Sequence, residues 1–105
     1  MVRVTEFDKK TRQEIYERDN YKCVLCYGTT FLGIAHVFVP RSKGGLGVVE
    51  NGALLCQNCH HAMDNGSDPA YSDMIRNGVE QYMHARYAID IKQLKQNKWK
   101  GYKYE

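Results

Sequence analysis

Apolar residues fall into three differently spaced groups along this chain of 105 residues. Near the start they are sparse: Ile15, helped by Tyr16, is the main candidate for the core in an otherwise charged stretch. Thr11 and Glu14 have the Thr-x-x-Glu spacing of a capping box, so a helix is predicted from Thr11. It should stop at Asp19-Asn20, which form turns more readily than helix. In the middle, residues 31–39 are almost continuously apolar, β-branched or aromatic, the pattern of a strand, with His36 its only polar side chain. Pro40 should end that strand, because proline has no amide to give to a ladder. Towards the end, Met74, Ile75, Val79, Tyr82 and Met83 recur at helical spacing and predict a core-packing helix beginning at Asp68-Pro69 or at Ser72.

Between these groups lie the connectors. Residues 41–47 read as a flexible, basic, glycine-rich loop. Val48-Val49 fits a short return strand, or Glu50-Asn51 a turn. Ala53-Leu54-Leu55 leads into a short helix from Cys56 or Gln57 to Met63, closed by Asn65-Gly66. Asp90 is placed to cap a last short helix carrying Ile91 and Leu94. His84, beside the third apolar stripe, reads as structural or solvent-facing. No internal repeat or low-complexity segment is visible.

Composition narrows the class. The length suits one domain with a modest core, for which a metal staple would help folding. Apolar residues make up 43% and charged residues 26%, as in ordinary soluble domains. No stretch reads as a membrane helix or signal peptide, which leads to the expectation of an intracellular, cytoplasmic protein.

The four cysteines form two Cys-x-x-Cys pairs, Cys23/Cys26 and Cys56/Cys59. Repeated i, i+3 spacing is typical of structural zinc ligands; a redox dithiol or disulfides are the alternatives. Gly28 is expected to supply a positive φ after the first pair. In the helix after the second pair, His60 and Asp64 fall one turn apart on one face, an arrangement able to hold a second metal ion. His61 points about 100° away, toward solvent or nucleic acid. The plain alternatives are a helix-end role for Asp64 and an ordinary strand histidine at His36.

Charge changes the picture at the end of the chain. The net charge is +3, yet residues 86–105 hold six basic and two acidic side chains. Lys98 and Lys100 there alternate with Trp99, Tyr102 and Tyr104, a pattern suited to nucleic acid or simply to a solvated tail.

Taken in order, Cys23-x-x-Cys26, the run from Ala35-His36 through Pro40-Arg41-Ser42-Lys43-Gly44-Gly45, Glu50-Asn51, and Leu54-Leu55-Cys56-x-x-Cys59-His60 resemble the HNH endonuclease family, in its four-cysteine bacterial and phage branch. The resemblance covers residues 11–66. It implies an α+β fold: a small ββα-metal core, treble-clef-like, with a four-cysteine zinc knuckle, flanked by N- and C-terminal helices. The whole of residues 1–105 would be one such domain, with a helical, basic extension over 68–105. It further implies a DNA phosphodiesterase using Mg2+, Mn2+ or Ni2+. His36 would be the general base, Asn51 the residue that holds the loop and orients the base, and His60 a metal ligand, joined by Asp64 on helical spacing. Arg41, Lys43, His61, Lys98 and Lys100 would meet DNA, and the setting would be a bacterial host or phage, with packaging or restriction proteins as partners.

Two departures from the family pattern bear on the site. Ala35 stands where a metal-ligating acidic residue or histidine is usual. Three residues rather than two separate His36 from Pro40, so keeping His36 as base requires a one-residue bulge. A non-catalytic zinc finger with four cysteine ligands that binds nucleic acid is the runner-up function, and a redox or purely structural zinc protein the third.

Overall fold

A computed structural model describes residues 4–65 and 67–95. The fold is α+β: among the described residues, three α-helices accompany a two-stranded antiparallel sheet. Helix α1 runs over Lys9–Arg18, strand β1 over Leu32–His36, strand β2 over Gly52–Cys56, helix α2 over Gln57–Asn65 and helix α3 over Pro69–His84. Single 3-10 turns occupy Arg41–Lys43, Val49–Asn51 and Ile91–Leu94. No helix among the described residues is long and apolar enough to cross a membrane.

α1 starts earlier than its capping-box spacing suggested. Asp8 is the N-cap, its carboxylate accepting the Thr11 amide at 2.8 Å, so Thr11 lies inside the first turn. The helix ends at Arg18, with Asp19 as C-cap, and the chain turns through left-handed backbone at Asn20 and Tyr21. Ile15 is its one buried residue. It packs over Gly52, where a Cβ would lie 2.8 Å from the Ile15 Cδ1 and 2.6 Å from the Phe7 ring. A side chain at position 52 would therefore have to displace the Ile15 and Phe7 side chains.

β1 and β2 pair from Leu32↔Cys56 to His36↔Gly52. Ala35 and Val37 point to the core, whereas Ile34 and His36 line an outer cleft, as alternation along a strand requires. Leu54 and Leu55 are both fully buried, one against each layer, an arrangement worth about 2 kcal/mol per side chain in apolar burial. The predicted strand was longer than the observed one, because the ladder stops where the chain is taken over by a buried side chain, Asn51. No return strand forms at Val48-Val49; the 3-10 turn ending at Asn51 takes its place.

α3 begins at Pro69 with Asp68 as N-cap, the earlier of the two predicted starts. Ile75, Val79 and Met83 face the core, whereas Met74 is 59% exposed and lies off the apolar stripe to which it was assigned. Asp90 caps the Ile91–Leu94 turn through the Lys92 amide, and only Leu94 of that turn is buried. Leu94 and Lys95 then bond to the loop at Leu46 and Gly45. Gly66, part of the proposed close of α2, lies outside the described residues.

Candidate metal centre and cleft

The register of the sheet brings the two cysteine pairs together. Cys56 ends β2 opposite Leu32, and the Val24 amide bonds to the Leu54 carbonyl at 3.0 Å, so the first pair is laid against the end of the sheet. All four sulfur atoms lie within 4.8 Å of one another, with Cys26 Sγ and Cys56 Sγ 3.5 Å apart, and no cysteine is disulfide-bonded. Four thiolates around a tetrahedral metal with bonds of about 2.3 Å stand roughly 3.8 Å apart, so the cluster fits a metal ion. The turn after Cys26 uses left-handed backbone at Tyr27 (φ 62°), not at Gly28 as the sequence suggested. Strained backbone at a non-glycine residue persists where its surroundings hold it, and here the Tyr27 amide is tied to the Cys23 carbonyl at 3.0 Å.

Electrostatics at the sulfurs ask for a cation. Burial raises the Cys23 thiol, but backbone groups of Cys26, Cys56 and Leu25 outweigh it and bring the pKa to about 7. Burial, with the neighbouring Cys56 and Cys23 thiols, pushes Cys59 well above the ordinary thiol range. Four clustered thiolates repel one another, and a bound metal removes that penalty.

A separate cleft of about 450 Å3 is lined by Ile34, His36, Pro40, Arg41, Ser42, His60, Asp64 and Arg76. Four of the sequence-selected residues, His36, Arg41, His60 and Asp64, thus share one cavity, although residues 37–56 separate β1 from α2. His60 Nε2 and Asp64 Oδ2 are 3.0 Å apart, one helical turn from each other. Two cis ligands of an octahedral ion with bonds of about 2.1 Å are separated by roughly 3 Å, so this pair fits a hard divalent cation. Among the described residues the thiol cluster is the one group of three or more such side chains within ligand distance; His60 and Asp64 lie outside it as an i, i+4 ion pair. Ala35, turned to the core, adds nothing to it.

His36 is held from the N-terminal side. Its Nε2 lies 2.8 Å from the Thr5 carbonyl, and the Phe7 ring packs on it with centroids 4.6 Å apart. A carbonyl can only accept, so Nε2 carries the proton and Nδ1 is left as the ring's proton acceptor. Burial lowers the His36 pKa below its ordinary value of 6.5; the Thr5 bond opposes that fall, while Arg41 and then His60 add to it. Nothing in the sequence marked Thr5 or Phe7 as part of the site.

Asn51 holds the loop through its side chain. It is fully buried, and its side-chain oxygen accepts the amides of Phe38 (2.9 Å) and Val39 (3.2 Å). Its side-chain nitrogen donates to the carbonyls of Val39 (3.1 Å) and Leu46 (3.0 Å). It touches neither His36 nor the cleft, and it is a positioning residue of the loop. The same bonds account for the extra residue before Pro40. β1 stays in regular register through His36, the Val37 amide bonds to the Asn51 carbonyl, and two successive amides then share one side-chain oxygen. The spare residue is absorbed in the loop, and the predicted strand bulge is absent.

Of the residues assigned to DNA, Arg41 lines the cleft and pairs with Glu6 at 3.0 Å across an exposed surface. Lys43 and His61 are not among the residues that line it. Lys98 and Lys100 lie outside the described residues. Sequence reasoning missed Arg76 of α3, whose guanidinium reaches the cleft from beyond the stretch of family resemblance.

No protein-family model matches the chain. Over 58 residues it is 26% identical to a protein named Anaredoxin from Nostoc sp. (strain PCC 7120 / SAG 25.82 / UTEX 2576), a match that covers 55% of this chain and 76% of that protein.

Proposed function

We propose that this chain is a divalent-metal-dependent DNA endonuclease of the HNH type, with zinc in its four-cysteine centre. The observation that carries the reading is the shared cleft: a strand histidine whose Nε2 is bonded to the Thr5 carbonyl lines the same cavity as an imidazole–carboxylate pair 3.0 Å apart. The β1–β2–α2 order of the elements that build it supports the ββα-metal core implied by the resemblance.

In this reading, His36 Nδ1 accepts a proton from a water molecule as its oxygen attacks phosphorus. The neutral imidazole needed for that step is favoured by burial. The P–O3′ bond breaks with its electron pair on O3′, which takes a proton from solvent, leaving 5′-phosphate and 3′-hydroxyl ends. A divalent cation held by His60 and Asp64 would supply positive charge to the phosphate and the departing oxygen. Arg41 and Ser42 on the cleft wall, Lys43 beside it, His61 on α2 and the basic residues Lys98 and Lys100 would bind phosphates without reading sequence.

Plasmid cleavage in Mg2+, Mn2+ or Ni2+ tests this. The parent should nick or cut, and His36→Ala and His60→Ala should each lose about a hundredfold or more in rate, the scale of general-base loss. Equal cleavage by all three proteins would reject the assignment.

One observation favours a second reading. The partial likeness to a protein named Anaredoxin, together with a four-thiolate site that would also suit iron, supports an electron-transfer centre. Metal analysis and visible absorbance separate the two: zinc gives a colourless protein, and iron thiolates give strong visible bands that bleach on reduction.

A further inference from the structure

We propose that Arg76 on α3 is a phosphate-binding residue of the cleft, contributing a contact to a nucleic-acid backbone from outside the sheet-and-helix core. The proposal rests on the nuclease reading for the identity of the anion, and on geometry for the site.

Arg76 sits midway along α3, yet its guanidinium crosses to two other elements. NH2 donates to the Met63 carbonyl near the end of α2 at 3.2 Å, and NH1 lies 3.5 Å from the Val37 carbonyl just beyond β1. NH2 also stands 3.8 Å from Asp64 Oδ1, the carboxylate oxygen that does not face His60. The head group is thereby fixed between the strand that carries His36 and the helix that carries His60 and Asp64. Its side chain is 34% exposed and forms part of the cleft wall.

Two neutral carbonyls orient this guanidinium without neutralising it, and Asp64 is only within loose ion-pair range. A guanidinium has five N–H donors, and these contacts leave several free. Among the residues lining the cleft, Arg41 and Arg76 carry full positive charge and Asp64 alone carries negative charge. Arg41 is matched by Glu6 at 3.0 Å, so Arg76 is the cation better placed to meet an incoming anion. If Asp64 also ligates a cation, its charge is drawn away from Arg76 and the guanidinium becomes still freer for a phosphate oxygen. The planar fork matters: lysine cannot span the Val37 and Met63 carbonyls and a phosphate together.

The test is fluorescence anisotropy of a labelled twelve-base-pair DNA duplex, across a salt series without added divalent metal, for the parent, Arg76→Gln and Arg76→Lys. Arg76→Gln should weaken binding about tenfold and lower the salt slope by about one, the signature of one lost phosphate contact. Arg76→Lys should keep the slope and lose a few-fold in affinity. Thermal melts show whether either variant has lost its fold. Because the Gln variant could unfold, the Arg76 Nε–H resonance of the 15N-labelled parent is followed during duplex addition, and it should shift. An unmoved resonance, or unchanged affinity and slope in a folded Gln variant, overturns the proposal. A parent that binds duplex through Arg76 but cleaves nothing with any metal leaves this contact standing and removes the nuclease reading. A folded Gln variant that binds and cleaves as the parent does leaves the nuclease reading standing and removes the contact.

Discussion

The His36 imidazole hangs from the Thr5 carbonyl, Nε2 to oxygen, at 2.8 Å. A residue outside the resemblance thus fixes the tautomer of the one inside it that matters most. The segment bearing Thr5 is itself tied to the loop, since the Gly47 amide donates to the Val4 carbonyl at 2.9 Å. A Cβ at position 47 would lie 2.1 Å from the Glu6 carbonyl oxygen, too close to tolerate without displacing one backbone or the other. Gly47→Ala should therefore lift residues 4–7 away while leaving the sulfur cluster untouched. On the proposed nuclease reading, cleavage should fall about a hundredfold, the cost of misplacing a reacting group by an ångström or so. The His36 pKa, followed by NMR, should climb back toward 6.5 as burial is relieved. Unchanged cleavage in a variant whose His36 has moved would show that His36 is not the base.

The direction of that pKa fixes a pH dependence. Burial holds the folded His36 pKa below the unfolded value, so the unfolded chain takes up the proton first. The stability owed to neutral His36 is fully present above about pH 6.5 and is lost as pH falls through the lower folded value. On the proposed nuclease reading, cleavage should decline as pH falls through the folded His36 value and the imidazole is protonated. Replacing His36 with Gln should flatten this part of the stability profile below about pH 6.5. A profile unchanged by the substitution would assign the acid sensitivity elsewhere.

Asn51 makes four hydrogen bonds with no exposed surface, and its oxygen and nitrogen are not interchangeable. Asn51→Asp keeps the shape but sets a carboxylate oxygen against the Val39 and Leu46 carbonyls. About 3 kcal/mol of stability should go, from lost bonds and from burying charge without a donor. Urea denaturation measures the loss, and amide exchange at Phe38 and Val39 should accelerate first. A midpoint within error of the parent would mean that the loop holds itself together.

What the sequence made legible was whatever depends on short spacing. Cys-x-x-Cys, the Asp68-Pro69 helix start and the His60–Asp64 turn need only neighbours along the chain, and each lies where its spacing placed it. The contacts that finish the site do not. Thr5 to His36 spans 31 residues and Arg76 to Val37 spans 39, and no local pattern records such distances. Asn51 was picked out as a loop residue, but its four partners could be known only once the loop was closed. Asp19 is the clearest case. Read as a turn former, it proves to be a fully buried carboxylate accepting from Arg18, Leu54 and Tyr82.

That carboxylate gives a prediction about the scaffold alone. Arg18 also donates to the carbonyls of Val49 and Gly52 at 2.8 and 2.7 Å, so Asp19 and Arg18 together join α1, the sheet and α3. Asp19→Ala strips the partner from a largely buried guanidinium and should cost about 3–5 kcal/mol. Tyr82→Phe removes one donor and should cost about 1–2 kcal/mol. If Asp19→Ala melts within a degree or two of the parent, the pair contributes packing but no net electrostatic support.

Removal of the metal should separate the two candidate sites, because they hold their ions with different chemistry. Thiolates grip zinc or iron far more tightly than one imidazole and one carboxylate grip a hard divalent cation. Brief gel filtration in EDTA should strip the His60–Asp64 site and leave about one ion per chain with the sulfurs. On the proposed nuclease reading, cleavage should then vanish and return on adding Mg2+ or Mn2+, while the circular dichroism stays unchanged. A thiol-reactive mercurial should release the remaining ion and unfold the region around Cys23 and Cys59, whose side chains are buried, since structural thiolate sites contribute directly to folding. His60→Ala should abolish metal rescue while retaining the sulfur-bound ion. Rescue that survives in His60→Ala would place the catalytic cation elsewhere, and a fold that survives loss of the sulfur-bound ion would make the cysteine centre dispensable for structure.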